Sequence, residues 1–190
     1  MSPFIICIDG LIGSGKSTLI QKLSYDYKCF PEPIEEWTLL PFLYKNLTRY
    51  GPAFQFQVLL SQFNQWQSFP KDNNLIIVER CPWTSRNIFA PLILDSDSLK
   101  TYNKMFELLS YNVNCFIYLD VDPENAFRRI HNRSSTDNLI SLDYLRGLHE
   151  TYRLNLLMGR SDVYVVNEGP PERVEETVRL FLTETFASIY

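Results

Sequence analysis

Short apolar runs punctuate the chain at Phe4 to Asp9, Cys29-Phe30, Leu75 to Val78, Cys115 to Leu119 and Val163 to Val166. The first alternates too little for a strand with one wet face and reads as a central strand buried on both, the habit of parallel sheets. Helical spacing fills the intervals. Asp122-Pro123-Glu124 places an N-cap, an N1 proline and a first-turn acid in series, which predicts a helix to about His131, ended by the polar stretch Asn132 to Asn138. Behind Ser141 as a cap, Leu145, Leu148, Tyr152 and Leu156 recur at helical spacing. Gly169-Pro170-Pro171 divides the last apolar run from a terminal helix whose Val174, Val178, Phe181 and Leu182 share a side. A further helix is predicted from about Ala53 to Phe69, with Gln55, Val58 and Gln62 on one face and Phe56, Leu60, Phe63 and Trp66 expected in the core.

Strands alternating with helices imply an α/β fold, a doubly wound five-stranded parallel sheet flanked by helices, within a single domain over residues 1–190. Such sheets bind ligands beyond the carboxyl ends of their strands. Chemistry is therefore to be sought at the loop from Gly10, at Glu32-Pro33, at Glu79-Arg80, at Asp120 to Asp122 and at Asn167.

Composition narrows this picture only slightly. With 45% hydrophobic and 21% charged residues, 190 residues suffice for one well-filled core. A net charge of -4 and a pI near 5.2 disfavour a broad surface for nucleic acid or anionic lipid, so positive potential must be local, as a small phosphorylated ligand requires. Cys7, Cys29, Cys81 and Cys115 show no C-x-x-C spacing, which predicts free thiols in a reducing compartment and no disulfide. Residues 1–9 lack the basic start of a signal peptide and no apolar run is long enough to cross a membrane, so a cytoplasmic location is expected.

The strongest local signal is Gly10-Leu11-Ile12-Gly13-Ser14-Gly15-Lys16-Ser17, followed by Thr18. It fits G-x-x-x-x-G-K-[ST], in which small residues let successive backbone N–H groups turn inward on phosphate oxygens and a lysine adds a point charge. An apolar strand precedes it and a helical pattern follows, the order a phosphate-binding loop needs. A bare glycine turn would account for Gly10, Gly13 and Gly15 but not for Lys16 and the two hydroxyls after it.

Together with that loop, Glu32-Pro33-Ile34-Glu35-Glu36-Trp37 and Glu79-Arg80 make the chain resemble the deoxynucleoside kinases, which include the deoxycytidine, deoxyguanosine and mitochondrial thymidine kinases. The resemblance runs from about Phe4 to Leu157, with further matches at Tyr44, Phe54-Gln55, Arg129-Ile130-x-x-Arg133 and Asp143-Tyr144-Leu145. It implies a P-loop kinase fold with a short arginine-bearing lid at about residues 131–139, ATP as phosphoryl donor, Mg²⁺, a homodimer formed through helix packing, and inhibition by the end-product triphosphate.

By that resemblance Glu32 is the general base, a role that suits a carboxylate at a strand end beside an attacking alcohol. Arg80 accompanies it as a guanidinium able to hold the carboxylate and meet phosphoryl oxygens. Lys16, Arg129 and Arg133 neutralise spreading charge, the last two from the lid. Ser17 and Glu79 are the implied Mg²⁺ ligands, and Gly10, Gly13, Ser14, Gly15, Lys16, Ser17 and Thr18 the implied phosphate cradle. Trp37 and Phe89 match the rings on either side of the base, Gln55 matches the amide that reads its edge, and Tyr44 matches the hydroxyl that meets the sugar 3′-OH. Phe54 and Val58 fall in the same nucleoside pocket. Glu35, Glu36 and Arg128 read as solvated charges, and His131 and His149 as ordinary helix residues.

Two departures from the family bear on the substrate. In the lid, a third arginine is replaced near Ser135 and the usual glutamate pair becomes Thr136-Asp137, leaving Asp137 as the candidate partner of Tyr44 and the sugar. Around the base edge, Gln62 and Ser85 stand where deoxycytidine and deoxyguanosine kinases carry an arginine and an aspartate. Losing a buried charged reader broadens recognition. The expected substrates are pyrimidine deoxynucleosides, thymidine and/or deoxycytidine. A thymidylate-type monophosphate kinase shares loop and fold, but Ile34-Glu35-Glu36 would repel a phosphorylated acceptor. A nucleotide-binding switch is the more remote alternative; it lacks N-K-x-D and leaves Trp37, Gln55 and Tyr44 without a joint purpose.

Overall fold

The computed structural model describes residues 3–72, 75–132 and 139–189. Each apolar run becomes a strand: β1 (Phe4–Gly10), β2 (Lys28–Phe30), β3 (Leu75–Glu79), β4 (Cys115–Asp120) and β5 (Val163–Asn167). All pairings are parallel in the order β2-β3-β1-β4-β5, so β1 is central and the chain reverses its direction of winding between β1 and β3. A crevice must open at the carboxyl ends of those two strands, because the connections leaving them go to opposite sides.

Residues alternate along each central strand and feed two cores. Ile6, Ile8, Leu75, Ile77, Ile117 and Leu119 pack with Leu19, Ile20 and Leu23 of α1 (Lys16–Leu23) and with Val178 and Leu182 of α9 (Pro171–Ile189). Ile5, Cys7, Ile76, Val78, Phe116 and Tyr118 face the other way. There they meet Cys81, Ile88 and the helix α8 (Leu142–Tyr152), whose Leu145, Leu148 and Tyr152 are fully covered. The caps fall where the sequence places them: Asp122 accepts from Glu124 N at the start of α7 (Pro123–His131), and Ser141 accepts from Tyr144 N at the start of α8.

Between β2 and β3 lie a short α2 (Leu40–Leu43) and the long α3 (Leu47–Gln67). The segment after β3 is α4 (Pro82–Thr84), a π turn (Ser85–Phe89) and α5 (Ala90–Ile93), followed by α6 (Ser96–Leu109). Two expectations are corrected here. Helix α3 begins six residues before Ala53, since Asn46 caps it by accepting from Arg49 N, and Pro52 is absorbed within it. Its outward row is core only in part: Leu60 is 51% exposed, whereas Phe56, Phe63 and Trp66 are half-buried, Phe56 against Tyr102 and Trp66 stacked on Tyr111. All four cysteines are free, and among the described residues no helix is long and apolar enough to cross a membrane.

Candidate active site

The loop after β1 wraps the N-terminus of α1. Gly10, Gly13 and Gly15 all take positive φ, and a Cβ on Gly13 would lie 2.7 Å from the carbonyl oxygen of Ala126, so only glycine lets α7 approach this closely. Ser14 is buried and its Oγ finds no partner among the described residues. Thr18 is exposed on the first turn of α1. Lys16 folds back over the loop, donating from Nζ to Gly10 O at 3.1 Å and Leu11 O at 2.7 Å. Burial, with Arg80 nearby, lowers its ammonium to about 8 despite Glu79, Glu32 and Asp9.

Three strand ends converge on this loop. Ser17 Oγ donates to Glu79 Oε1 at 2.7 Å, and the other oxygen of Glu79 lies 3.5 Å from Glu32 N. Arg80 Nη1 donates to Glu32 Oε2 at 2.7 Å, and its Nη2 reaches Gly10 O at 3.2 Å. Burial raises the Glu32 carboxyl above its ordinary range, with Arg80 and Lys16 pulling it back and Glu79 adding to the rise. Arg80 itself has φ 55, an unusual conformation outside glycine, and its guanidinium sits 5.0 Å from the centre of the Phe89 ring.

A single cavity of about 160 Å³ runs from the loop into the space under α2, α3 and the π turn. Its lining combines Gly13, Lys16, Ser17, Glu32, Glu79 and Arg80 with Trp37, Tyr44, Phe54, Gln55, Val58, Ser85 and Phe89, the Phe89 ring meeting the Arg80 guanidinium. Trp37 is fixed in place by donating from Nε1 to Ser61 Oγ at 2.8 Å and by edge contact with Phe54. Gln55 is buried with Oε1 lacking any partner among the described residues, an acceptor held ready in the cavity wall. Gln62 does not line the cavity; it stands behind Ser85, whose Oγ donates to its Oε1 at 3.2 Å.

Some expected residues are not gathered here. Arg129 points away, giving Nη2 to Glu168 Oε1 at 2.6 Å, and Glu168 also accepts from Asn125 on the same helix. Arg133 and Asp137 lie outside the described residues. His149 has a carboxylate neighbour that its sequence surroundings do not announce, Asp120 Oδ1 at 3.5 Å. Side chains join the site without having been assigned to it, among them the apolar Ile12, Ile34, Leu40, Leu43 and Ile93 and two polar groups. Tyr144 lines the cavity from α8, its hydroxyl pushed up to about 12 by burial; its sequence signal was its place beside the core residue Leu145. Asp9 lies beneath the loop, signalled only by an acid closing an apolar run.

Comparison with known proteins agrees with this geometry. A deoxynucleoside kinase family model matches residues 6–177. Kinase protein 143R of Invertebrate iridescent virus 6 is 48% identical over 80% of this chain and 82% of its own length. A fowlpox virus (strain NVSL) protein named as a deoxycytidine kinase is 32% identical over 77% of this chain and 69% of its own. The solved structure of a deoxyadenosine kinase from M. mycoides with bound dATP superposes with a TM-score of 0.80 at 25% identity, covering 95% of this chain and 99% of that one. The chain belongs to the deoxynucleoside kinase family.

Proposed function

We propose that the chain transfers the γ-phosphoryl group of ATP to the 5′-OH of pyrimidine deoxynucleosides, thymidine and/or deoxycytidine, in the cytoplasm as a step of nucleotide salvage. The observation that carries this reading is one cavity that brings Glu32, Arg80 and Lys16 together with Trp37, Gln55 and Phe89. A nucleoside laid along it presents its sugar hydroxyl to the carboxylate and its base to the rings. Glu32 accepts the hydroxyl proton as the 5′-oxygen bonds to phosphorus and the bond to the departing ADP oxygen breaks. Arg80 holds one carboxylate oxygen through Nη1, and the terminal N–H groups not given to Glu32 and Gly10 O meet the transferring group. Lys16 exchanges its loop carbonyls for donor phosphate oxygens.

Ser17 Oγ and Glu79 fit Mg²⁺, since they offer two hard oxygen sites and leave the remaining positions to water and phosphate. When bound, the ion neutralises charge on the donor phosphates. At the base end, the neutral Ser85–Gln62 pair cannot act as a charged reader, and the Gln55 amide can turn to suit either the thymine or the cytosine edge. Leu60, Met105 and Leu108, exposed on the adjacent helices α3 and α6, support a homodimer built on that face; Leu60→Glu with Leu108→Glu should sediment as a monomer.

Replacing Glu32 by Gln should cut turnover by about 10²- to 10⁴-fold while nucleoside binding stays nearly intact. Full turnover in that variant removes Glu32 from the mechanism. Equal turnover of deoxyguanosine in a panel of the four deoxynucleosides would overturn the pyrimidine preference.

A further inference from the structure

Asp9 takes no part in the chemistry proposed above, yet it is completely enclosed at the heart of the site. Strand alternation turns it to the side of Ile5 and Cys7, under α4 and α8. Its Oδ1 accepts from Gly10 N at 2.8 Å and from Tyr152 Oη at 2.7 Å, and its Oδ2 from Thr84 Oγ1 at 2.5 Å. The fourth neighbour is Arg80, whose Nε lies 3.7 Å from Oδ1. A buried carboxylate has to be surrounded by donors, and Gly10, Tyr152 and Thr84 supply them; Arg80 Nε, at 3.7 Å, makes no hydrogen bond to it and faces it as a charge, which burial alone does not require of the guanidinium that grips Glu32.

Arg80 needs such a neighbour. Its backbone is in the left-handed region, tied by its N–H to Ile8 O at 3.1 Å, and a non-glycine residue stays there only when its surroundings over-determine it. One edge of the guanidinium meets Glu32, another meets Gly10 O, and Nε faces Asp9. Gly10 O is also where Lys16 rests, so the same carbonyl fixes both cations relative to the loop. We propose that Asp9, locked by Thr84 and Tyr152, is a positioning residue that sets the angle at which Arg80 holds Glu32 against the sugar hydroxyl. The inference rests on the roles given above to Glu32 and Arg80. It adds that the carboxylate at the end of β1 acts through Arg80 and touches neither substrate.

The direct test is Asp9→Asn, which keeps the shape and loses the charge facing Nε. Misplaced reacting groups cost rate more than affinity, so kcat should fall by about 10- to 100-fold with the deoxynucleoside KM changed by less than about threefold. In an Arg80→Lys background, which has no fork to orient, the same substitution should cost less than about threefold further. Equal losses in both backgrounds, or an unchanged kcat in folded Asp9→Asn protein, would overturn the proposal. If Asp9→Asn does not fold, Thr84→Val and Thr84→Ser decide. The first removes the donor to Asp9 and should lower kcat, the second keeps it and should restore kcat; equal rates in the two would reject the idea. Wild-type turnover in Glu32→Gln would instead sink the underlying assignment, a separate result.

Discussion

At the scale of single residues, Lys16 carries the clearest consequence. It is 4% exposed, and its ammonium, ordinarily near 10.5, is lowered to about 8 mainly by burial, with Arg80 contributing. The sign follows directly. Between about 8 and 10.5 the unfolded chain holds the proton and the folded one does not, so this lysine makes stability rise with pH across that window. Donor phosphates favour the charged form, so ATP binding at pH 9 must draw a proton back. Calorimetric titration at pH 9 in two buffers of different ionisation enthalpy should report uptake approaching one proton, and Lys16→Met should abolish it. Heats independent of buffer would mean that the lysine is already charged in the empty site. Lys16 was legible in the sequence because its loop motif is local. So was Arg80, from its place after the third apolar run, but Asp9 was not, because the partners that define it, Thr84 and Tyr152, lie 75 and 143 residues away in the chain.

Among the elements, α3 does the most to shape the pocket and shows where sequence patterning stops. Its inner row was readable: Gln55 and Val58 reach the cavity and Gln62 backs it through Ser85. Its outer row was readable only in part: Phe56 and Trp66 do pack on Tyr102 and Tyr111, but Leu60 stands exposed, and an apolar row reads the same whether every member of it is covered or not. The Gly51-Pro52 pair likewise hides a start that Asn46 supplies. Gly51 is there for contact. A Cβ on it would stand 2.4 Å from Ile93 Cγ2 at the end of α5, which borders the cavity. Gly51→Ala gains about 1 kcal/mol of helix propensity but overpacks this crossing by about 1–3 kcal/mol. The net effect should be a lower melting temperature, partly restored by the second change Ile93→Ala. A stabilised Gly51→Ala protein would show that α5 yields without cost.

For the whole molecule, a doubly wound five-stranded parallel sheet with its site at the strand carboxyl ends was visible in the alternation of apolar runs and helical spacing, whereas the strand order was not; in it β1 and β3 part company, and Glu32, Glu79 and Arg80 gather in the gap with the loop. What the one-dimensional pattern could not convey is that this gap continues into an apolar chamber closed by α2 and α3, with the charged end and the ring-lined end in one cavity. That continuity makes a whole-protein prediction, because a ligand spanning the chamber ties β1, β3, α3 and the π turn together and must stabilise all of them at once. Thymidine or deoxycytidine alone, without ATP, at about 100 times its dissociation constant should add about 2.7 kcal/mol to stability. In a chain of this size that corresponds to a rise in melting temperature of roughly 5–10 °C. The matching monophosphate, at the same concentration, should give a much smaller shift, since its phosphate would have to sit against Glu32 and near Glu35 and Glu36. A larger shift with the monophosphate would make the acceptor a nucleotide, while no shift with either would mean that the chamber binds only after the donor has closed over it.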